Sequence, residues 1–409
     1  MYLRNAYLQK IKQALQKEKL VLLLGARQVG KTTLLHQLKE YHFPEAVYVN
    51  CEKKCLGEDL SNYEEFLTMF KFKFNVDLHK KHTIFLDEIQ ALPNFETFLK
   101  IIYDDEQIPS KFVVTGSVLN VSGKAGSTLV GRGKIIKVFP FNFYEFLEIK
   151  GLNLSQQIKP KFEWIKNHLI EYLTFGWYPK VVFAPTSREK IEEIENIIDS
   201  YLKKDILLFF AKEDVTWFKK ILQKMVLDIN NPFSFEGLAT TLNISVYKVK
   251  KYIKFLENSF LVYQIYPFFT DKTKEYSQRP KIYMNDLGLI NWFRKTFENI
   301  DINDGKLVEN FVFLHLNNLD YPEISYYHKR TWSEIDFIVH LWNGKIIPLE
   351  AKSRPYCKTP RIFFSFAQDY KTLIQKFVVT NLQQRQEGKI ENISLQCLPL
   401  RDLMKIKPL

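Results

Sequence analysis

The run Gly25-Ala26-Arg27-Gln28-Val29-Gly30-Lys31-Thr32 is where chemistry is densest in this chain. Two glycines bracket four residues and are followed by lysine and threonine, which fits the P-loop pattern. There the glycines let backbone N–H groups face phosphate oxygens at a helix N-terminus. In that pattern Lys31 reaches the β and γ phosphates and Thr32 holds Mg²⁺ through its hydroxyl. Residues Gly25 to Thr32, with Thr33 behind them, are therefore the candidate cradle for ATP.

Such a site also needs an acidic residue at the end of a neighbouring strand. Thr83-Ile-Phe-Leu-Asp87-Glu88 supplies two. Asp87 is the expected metal-side carboxylate, and Glu88 the base that orients an attacking water. Thr115 and Ser117 fall at the end of another apolar segment, where a polar side chain could sense the γ phosphate; starting a turn is the competing reading.

A second constellation lies near the other terminus. Residues Glu334 to Lys352 read as two strands around Asn343-Gly344, a hairpin signal. A two-residue turn would set Asp336 opposite Ala351. One extra loop residue pairs Leu341 with Lys345 instead, so that Ile335, Phe337, Val339 and Leu341 share a face with Ile347, Leu349 and Ala351. Burial should select the second register. Its other face gathers Asp336, His340, Glu350 and Lys352. An aspartate on one strand and Glu-x-Lys on the next can hold one or two Mg²⁺ ions and place a lysine near an attacking water or a phosphate. An exposed, salt-bridged hairpin is the competing reading.

These residues need elements to position them. Leu20 to Leu24 reads as a buried parallel strand, and Lys31 to Tyr41 as a helix carrying Leu34, Leu35, Leu38 and Tyr41. Ala46–Asn50, the strand before Asp87, Phe112–Thr115 and Lys134–Phe139 bring the strands to five. Alternating with helical stretches, they predict an α/β, doubly wound parallel sheet. Residues 160–225 read as helices, expected to form a lid.

Phe233 to Phe268 reads as helix, turn at Asn243–Ser245, helix and strand, with residues 271–279 as a wing and Lys281–Met284 as its return: a winged helix. On the second helix Val246, Val249, Tyr252, Ile253 and Leu256 form one arc, and Lys248, Lys250, Lys251 and Lys254 the other. Duplex DNA held at its phosphates is one reading, and a solvated lysine face used for protein contacts is the other.

The whole chain suits this organisation. Its 409 residues, 46% hydrophobic, exceed what one core supports, and two or three domains are expected. A formal charge of +12 favours an anionic partner, nucleic acid first. Four cysteines, Cys51, Cys55, Cys357 and Cys397, show no two-residue spacing of a zinc or redox motif, so a reduced cytoplasm is the simplest inference. Neither a signal core at Met1–Lys10 nor an apolar run of about twenty residues is visible, which excludes a helical membrane protein and predicts a soluble, cytoplasmic one.

In the order of its parts the N-terminal third resembles the AAA-type P-loop ATPases, and in particular a bacterial and archaeal family with an uncharacterised C-terminal domain. The matching residues are Gly25 to Thr32, Leu86-Asp87-Glu88-Ile89-Gln90, Thr115-Gly116-Ser117, and Leu129-Val-Gly-Arg132 followed by Phe139-Pro140-Phe141-Asn142-Phe143-Tyr144-Glu145-Phe146. Further landmarks are Tyr172-Leu-Thr-Phe-Gly176-Trp-Tyr-Pro179 and Ser200-Tyr-Leu-Lys-Lys-Asp205. The family often has a second small polar residue after Ser117, where this chain has Val118. The resemblance implies Arg132 as a γ-phosphate-facing arginine, acting in its own subunit or in a neighbour's, the latter requiring a homo-oligomer.

The C-terminal run Glu334-Ile-Asp336 with Leu349-Glu350-Ala-Lys352 resembles the PD-(D/E)XK nuclease core, a restriction-endonuclease-like α/β fold. In that core a leading helix often adds a glutamate, here Glu309, to the metal ligands Asp336 and Glu350. Three domains follow: an AAA-type domain at 1–155, a helical lid and winged helix at 156–285, and a nuclease-like domain at 286–409. The expected function is a Mg²⁺-dependent ATPase whose nucleotide state controls DNA engagement, with cleavage as a possible output. The alternative is an ATP-gated regulatory or scaffolding protein with an inactive nuclease-like domain.

Overall fold

A computed structural model describes residues 2–52, 63–92, 95–117, 132–152, 162–270, 279–298, 300–319, 321–329 and 333–405. Cys55, Val118, residues 129–131 and most of the expected wing (271–278) lie outside the described residues. Two compact units make up the chain: Met1–Pro140 with Lys254–Phe260, and Phe141–Ile253 with Leu261–Leu409.

The first unit opens with helix α1 (Asn5–Lys17), strand β1 (Leu20–Leu24), α2 (Lys31–His42) and β2 (Val47–Asn50). It continues through α3 (Tyr63–Phe74), β3 (Thr83–Asp87), α4 (Phe95–Asp104), β4 (Lys111–Gly116) and β5 (Lys134–Lys137). The strands form one parallel sheet in the order β2-β3-β4-β1-β5. β1 is apolar at all five positions and buried at all five, as a strand flanked on both edges must be. From β1 the chain reaches β2 only by passing β4 and β3, so the strand order reverses at β1. A crevice at the strands' C-terminal ends is where such sheets bind ligands. β5 stops two residues before the expected Phe139, because Pro140 has no N–H to extend a ladder. Val138 still donates to the Leu24 carbonyl over 2.7 Å.

In the second unit, helix Phe143–Ile149 starts with a capping box: the Asn142 side chain accepts from the N–H groups of Tyr144 and Glu145, and Glu145 answers the N–H of Asn142. Helices Phe162–Phe175, Ser187–Ser200 and Asp214–Leu227 follow. Helices Phe235–Leu242 and Val246–Asn258 are separated by a turn in which Asn243 adopts the left-handed conformation. β6 (Val262–Ile265) and β7 (Lys281–Met284) then pair antiparallel.

Helices Leu287–Arg294 and Gly305–Asn317 lead into β8 (Glu323–His328), β9 (Glu334–His340) and β10 (Ile346–Glu350). Helix Ile362–Tyr370 precedes β11 (Phe377–Asn381), β12 (Gln386–Ile390) and β13 (Ile393–Pro399). These six strands form a mixed sheet in the order β12-β13-β11-β10-β9-β8. Helices Gly305–Asn317 and Ile362–Tyr370 both pack on β9. The expectation of one apolar face is corrected: Ile335 and Ile338 point to opposite sides, yet both are fully buried. Cys357 and Cys397, 40 residues apart, are joined by a disulfide that the spacing did not reveal. Cys51 is a buried free thiol. No helix among the described residues is long and apolar enough to cross a membrane.

Candidate functional sites

Register brings the first site together. Leu24 pairs with Gly116, and Leu86 with Val114, so the loop after β1, Asp87 and Glu88 at the end of β3, and Thr115 on β4 are neighbours. The loop itself is tightly curled, with Gln28 at φ 62° and Gly30 at φ 95°. A side chain at Gly25 would overlap the Val138 carbonyl beside β5, so only glycine fits where the loop leaves the sheet. Ala26 and Val29 are buried, and Arg27 lies 3.8 Å from Glu52. Lys31 reaches back over the loop, donating to the carbonyls of Gly25 and Ala26 at 2.8 Å each. Thr33 is half-buried in the first turn of α2.

Asp87, fully buried, accepts three hydroxyls: Thr32 at 2.9 Å and Tyr48 at 2.7 Å on Oδ2, and Thr115 at 2.5 Å on Oδ1. Burial, and then the bond to Asp87, hold the Tyr48 phenol above its usual range. Glu88 has the left-handed backbone, φ 56°, and its N–H donates to Thr115 Oγ1 at 2.9 Å. Its carboxylate accepts from Gln90 Nε2, which also donates to Ser117 Oγ at 3.1 Å. Thr115 therefore faces Asp87 and Ser117 faces Gln90. Sequence spacing had not assigned roles to Tyr48 or Gln90; the signal for Tyr48 was a hydroxyl-bearing ring on the strand next to β3.

Arg132 is elsewhere. It donates to Asp104 Oδ1 at 2.8 Å, and two residues later Lys134 pairs with Val21, near the start of β1. The phosphate loop follows the other end of β1, roughly 13 Å away at about 3.3 Å per residue. The expectation that Arg132 could face a γ phosphate in its own subunit is therefore corrected.

On helix Val246–Asn258 the two arcs are as expected, with Val249, Tyr252, Ile253 and Leu256 buried and the four lysines exposed. Val246 is only half-buried. The lysines already have local partners: Lys248 lies 3.9 Å from Asp214, Lys254 bonds Glu257 at 2.9 Å, and Lys250 and Lys251 sit over the rings of Phe235 and Phe210.

In the C-terminal sheet Leu349 pairs with Phe337 and Ile347 with Val339, and Leu341 N–H donates to the Lys345 carbonyl. This register sets Asp336 against Glu350. The Ala351 N–H donates to Asp336 Oδ2 at 2.8 Å, the Asp336 N–H reaches Glu350 Oε2 at 3.4 Å, and Lys352 Nζ lies 2.6 Å from Glu350 Oε1. Both carboxylates are only 6% exposed, unlike those of a solvated hairpin. Burial, then Asp336, pushes the Glu350 carboxyl up to about 8. Burial also raises Asp336. For Lys352 burial works the other way, but Glu350 and Asp336 outweigh it and hold the ammonium above its usual range.

His340 shares the Asp336 face but sits four residues along the strand, bonded to Ser325 Oγ at 2.9 Å, so it does not join the cluster. Glu309 accepts from the Tyr283 hydroxyl at 2.6 Å and lies 3.5 Å from Lys281 Nζ. Burial, then Asp336, raises its carboxyl to about 7. Among the described residues no three His, Cys, Asp or Glu side chains are arranged to hold a metal ion. Two lysines stand among the acids expected to hold metal, Lys281 beside Glu309 and Lys352 beside Glu350. The ATP site is different: Thr32 and Asp87 present oxygens to one point, the hard donor set that Mg²⁺ takes.

A five-stranded parallel sheet, with a phosphate loop after the strand where its order reverses and paired carboxylates at the end of β3, two strands away, is the arrangement of the P-loop ATPases. Residues 17–147 match the family model described as AAA domain. Residues 166–299 and 304–402 match two domains of unknown function, DUF8612 and DUF4143.

An uncharacterised protein of Methanocaldococcus jannaschii is 26% identical over 341 residues, covering 80% of this chain and 74% of that one. One of Haemophilus influenzae is 26% identical over 361 residues, covering 83% and 84%. One of Mycobacterium tuberculosis is 23% identical over 351 residues, covering 84% and 72%. Among solved structures, the Walker-type ATPase of Pyrococcus abyssi is similar at 16% identity and a TM-score of 0.48, over 72% of this chain and 96% of that one.

Proposed function

We propose that this chain is a Mg²⁺-dependent ATPase whose nucleotide state controls engagement of duplex DNA. The observation that carries the reading is Asp87, shared between the Thr32 hydroxyl and Thr115 with Glu88 beside it. Gly25 to Thr33 would cradle the phosphates, with Lys31 exchanging loop carbonyls for phosphate oxygens. Thr32 and Asp87 would hold Mg²⁺, which when bound offsets charge on the phosphates. Glu88 would orient the attacking water. Ser117, through Gln90, would report on the γ phosphate.

The helix pair Phe235–Leu242 and Val246–Asn258, followed by the β6-β7 ribbon, supports a winged-helix reading with lysines at DNA phosphates. Arg132 would serve a neighbouring subunit's nucleotide. On this reading the chain divides functionally at about residues 155 and 285, with a nuclease-like C-terminal domain. The alternative, an ATP-gated regulatory or scaffolding protein with an inactive C-terminal domain, is favoured by one observation: Lys281 stands among the acids where a metal was expected.

Phosphate release and nucleotide binding by the full chain test the proposal. Lys31→Ala should lose both. Glu88→Gln should keep binding and slow turnover by about 10²- to 10⁴-fold. Wild-type turnover in Lys31→Ala would remove the ATPase reading. Turnover indifferent to duplex, without salt-sensitive DNA binding, would favour the alternative.

A further inference from the structure

β7 is short and otherwise apolar, and strand alternation sends Lys281 and Tyr283 to one side and Ile282 and Met284 to the other. Both polar side chains meet Glu309. Lys281 is fully buried, which a lysine tolerates only among opposite charges. Its Nζ lies 3.5 Å from Glu309 and 3.2 Å from Glu334, over the face of the Tyr326 ring at 5.2 Å. Asp336 favours its charge as well, after Glu309 and Glu334. Lys352, which also favours the Asp336 carboxylate, pairs with Glu350.

Four carboxylates, Glu309, Glu334, Asp336 and Glu350, thus share two lysines delivered from different elements. Lys352 follows β10 within the sheet. Lys281 comes from the ribbon that follows helix Val246–Asn258.

We propose that Lys281 is the resident cation of this cluster and competes with divalent metal for Glu309, Glu334 and Asp336. The inference deepens the C-terminal part of the reading above and rests on it. A Mg²⁺ ion needs oxygens at about 2.1 Å in near-octahedral array, and carboxylates turned towards an ammonium at salt-bridge distance cannot also close around it. Two cations among the same carboxylates also repel. Metal enters only when Lys281 leaves, which requires movement of β7.

Removing the lysine alone would leave the buried Asp336 and the partly buried Glu309 and Glu334 uncompensated, and these would accept a replacement cation. Lys281 therefore closes the cluster to metal and makes its opening depend on the β6-β7 ribbon.

The test is Mn²⁺ titration of the nucleotide-free full chain, with free Mn²⁺ read by electron paramagnetic resonance, for wild type, Lys281→Met, Lys281→Arg and Asp336→Asn. Lys281→Met should bind Mn²⁺ at least about tenfold more tightly than wild type. Adding Asp336→Asn should cancel the gain, and Lys281→Arg should behave as wild type. Wild type and Asp336→Asn should give superimposable curves, a comparison that holds even if Lys281→Met does not fold. Mn²⁺ binding in wild type that Asp336→Asn removes, or a folded Lys281→Met variant with no gain, would overturn the proposal. ATP turnover measured on the same samples reports the N-terminal site separately, so failure of the ATPase reading and failure of the lysine's role are distinct results.

Discussion

The Thr115 hydroxyl donates to Asp87 Oδ1 over 2.5 Å and accepts the N–H of Glu88 over 2.9 Å, so one β4 side chain holds both acidic residues at the end of β3. Thr115→Val keeps the shape of the side chain and removes both bonds inside a buried site. Urea denaturation should show the first unit destabilised by about 1 to 3 kcal/mol. ATP turnover should fall further than ATP affinity, because the residue positions carboxylates and does not itself cradle phosphate. Equal losses in both would mean that Thr115 acts only on folding.

Arg132 pairs with Asp104 at the end of the sheet remote from its own phosphate loop. An arginine serving a neighbour predicts complementation. Arg132→Ala and Lys31→Ala should each be inactive alone, yet recover measurable turnover when mixed, since one supplies the intact loop and the other the intact arginine. No recovery, in a mixture shown by mass to be oligomeric, would rule out a role in trans.

The lysine face of helix Val246–Asn258 separates DNA from protein as the partner. If phosphates are its target, replacing Lys248, Lys250, Lys251 and Lys254 one at a time by glutamine should weaken duplex binding uniformly across sequences. The slope of log affinity against log salt should drop by about 0.9 for each phosphate no longer neutralised. Unchanged slopes would assign the face to another partner or to solvent.

His315 sets a pH dependence in the second unit. Its Nδ1 meets the Phe311 carbonyl at 2.9 Å and its Nε2 the Phe143 N–H at 3.4 Å, which suits the neutral ring. Phe143, Tyr172, Trp177 and Phe311 surround it. Burial pushes its pKa down to about 4. Above the unfolded value, near 6.5, both states are neutral and nothing changes. Below it the unfolded chain takes up a proton that the folded chain refuses, so stability falls as pH drops from about 6.5 to about 4, by up to about 3 kcal/mol. His315→Phe should remove that loss, so in denaturation curves the wild type should fall relative to the variant by up to about 3 kcal/mol between pH about 6.5 and about 4. Parallel curves would refute the assignment.

Local pattern alone determined a good deal of this protein. The phosphate loop, the strand ending in Asp87 and Glu88, and the helix with a lysine arc were legible because each depends on periodicity or on a fixed short spacing. The register that sets Asp336 against Glu350 was legible too, since only there do Ile335, Phe337, Val339 and Leu341 share a face with Ile347, Leu349 and Ala351.

Tertiary structure alone decided which distant residues meet. It placed Tyr48 and Thr115 on Asp87, sent Arg132 to the far end of β1, joined Cys357 to Cys397, and set Lys281 among acids contributed by a helix and a strand far along the chain. A strand's sequence states which of its faces is apolar. The neighbour waiting on the other face follows from strand order and crossover, which no spacing along the chain records. For that reason a buried lysine in β7 read as part of a wing until the fold set it beside Glu309.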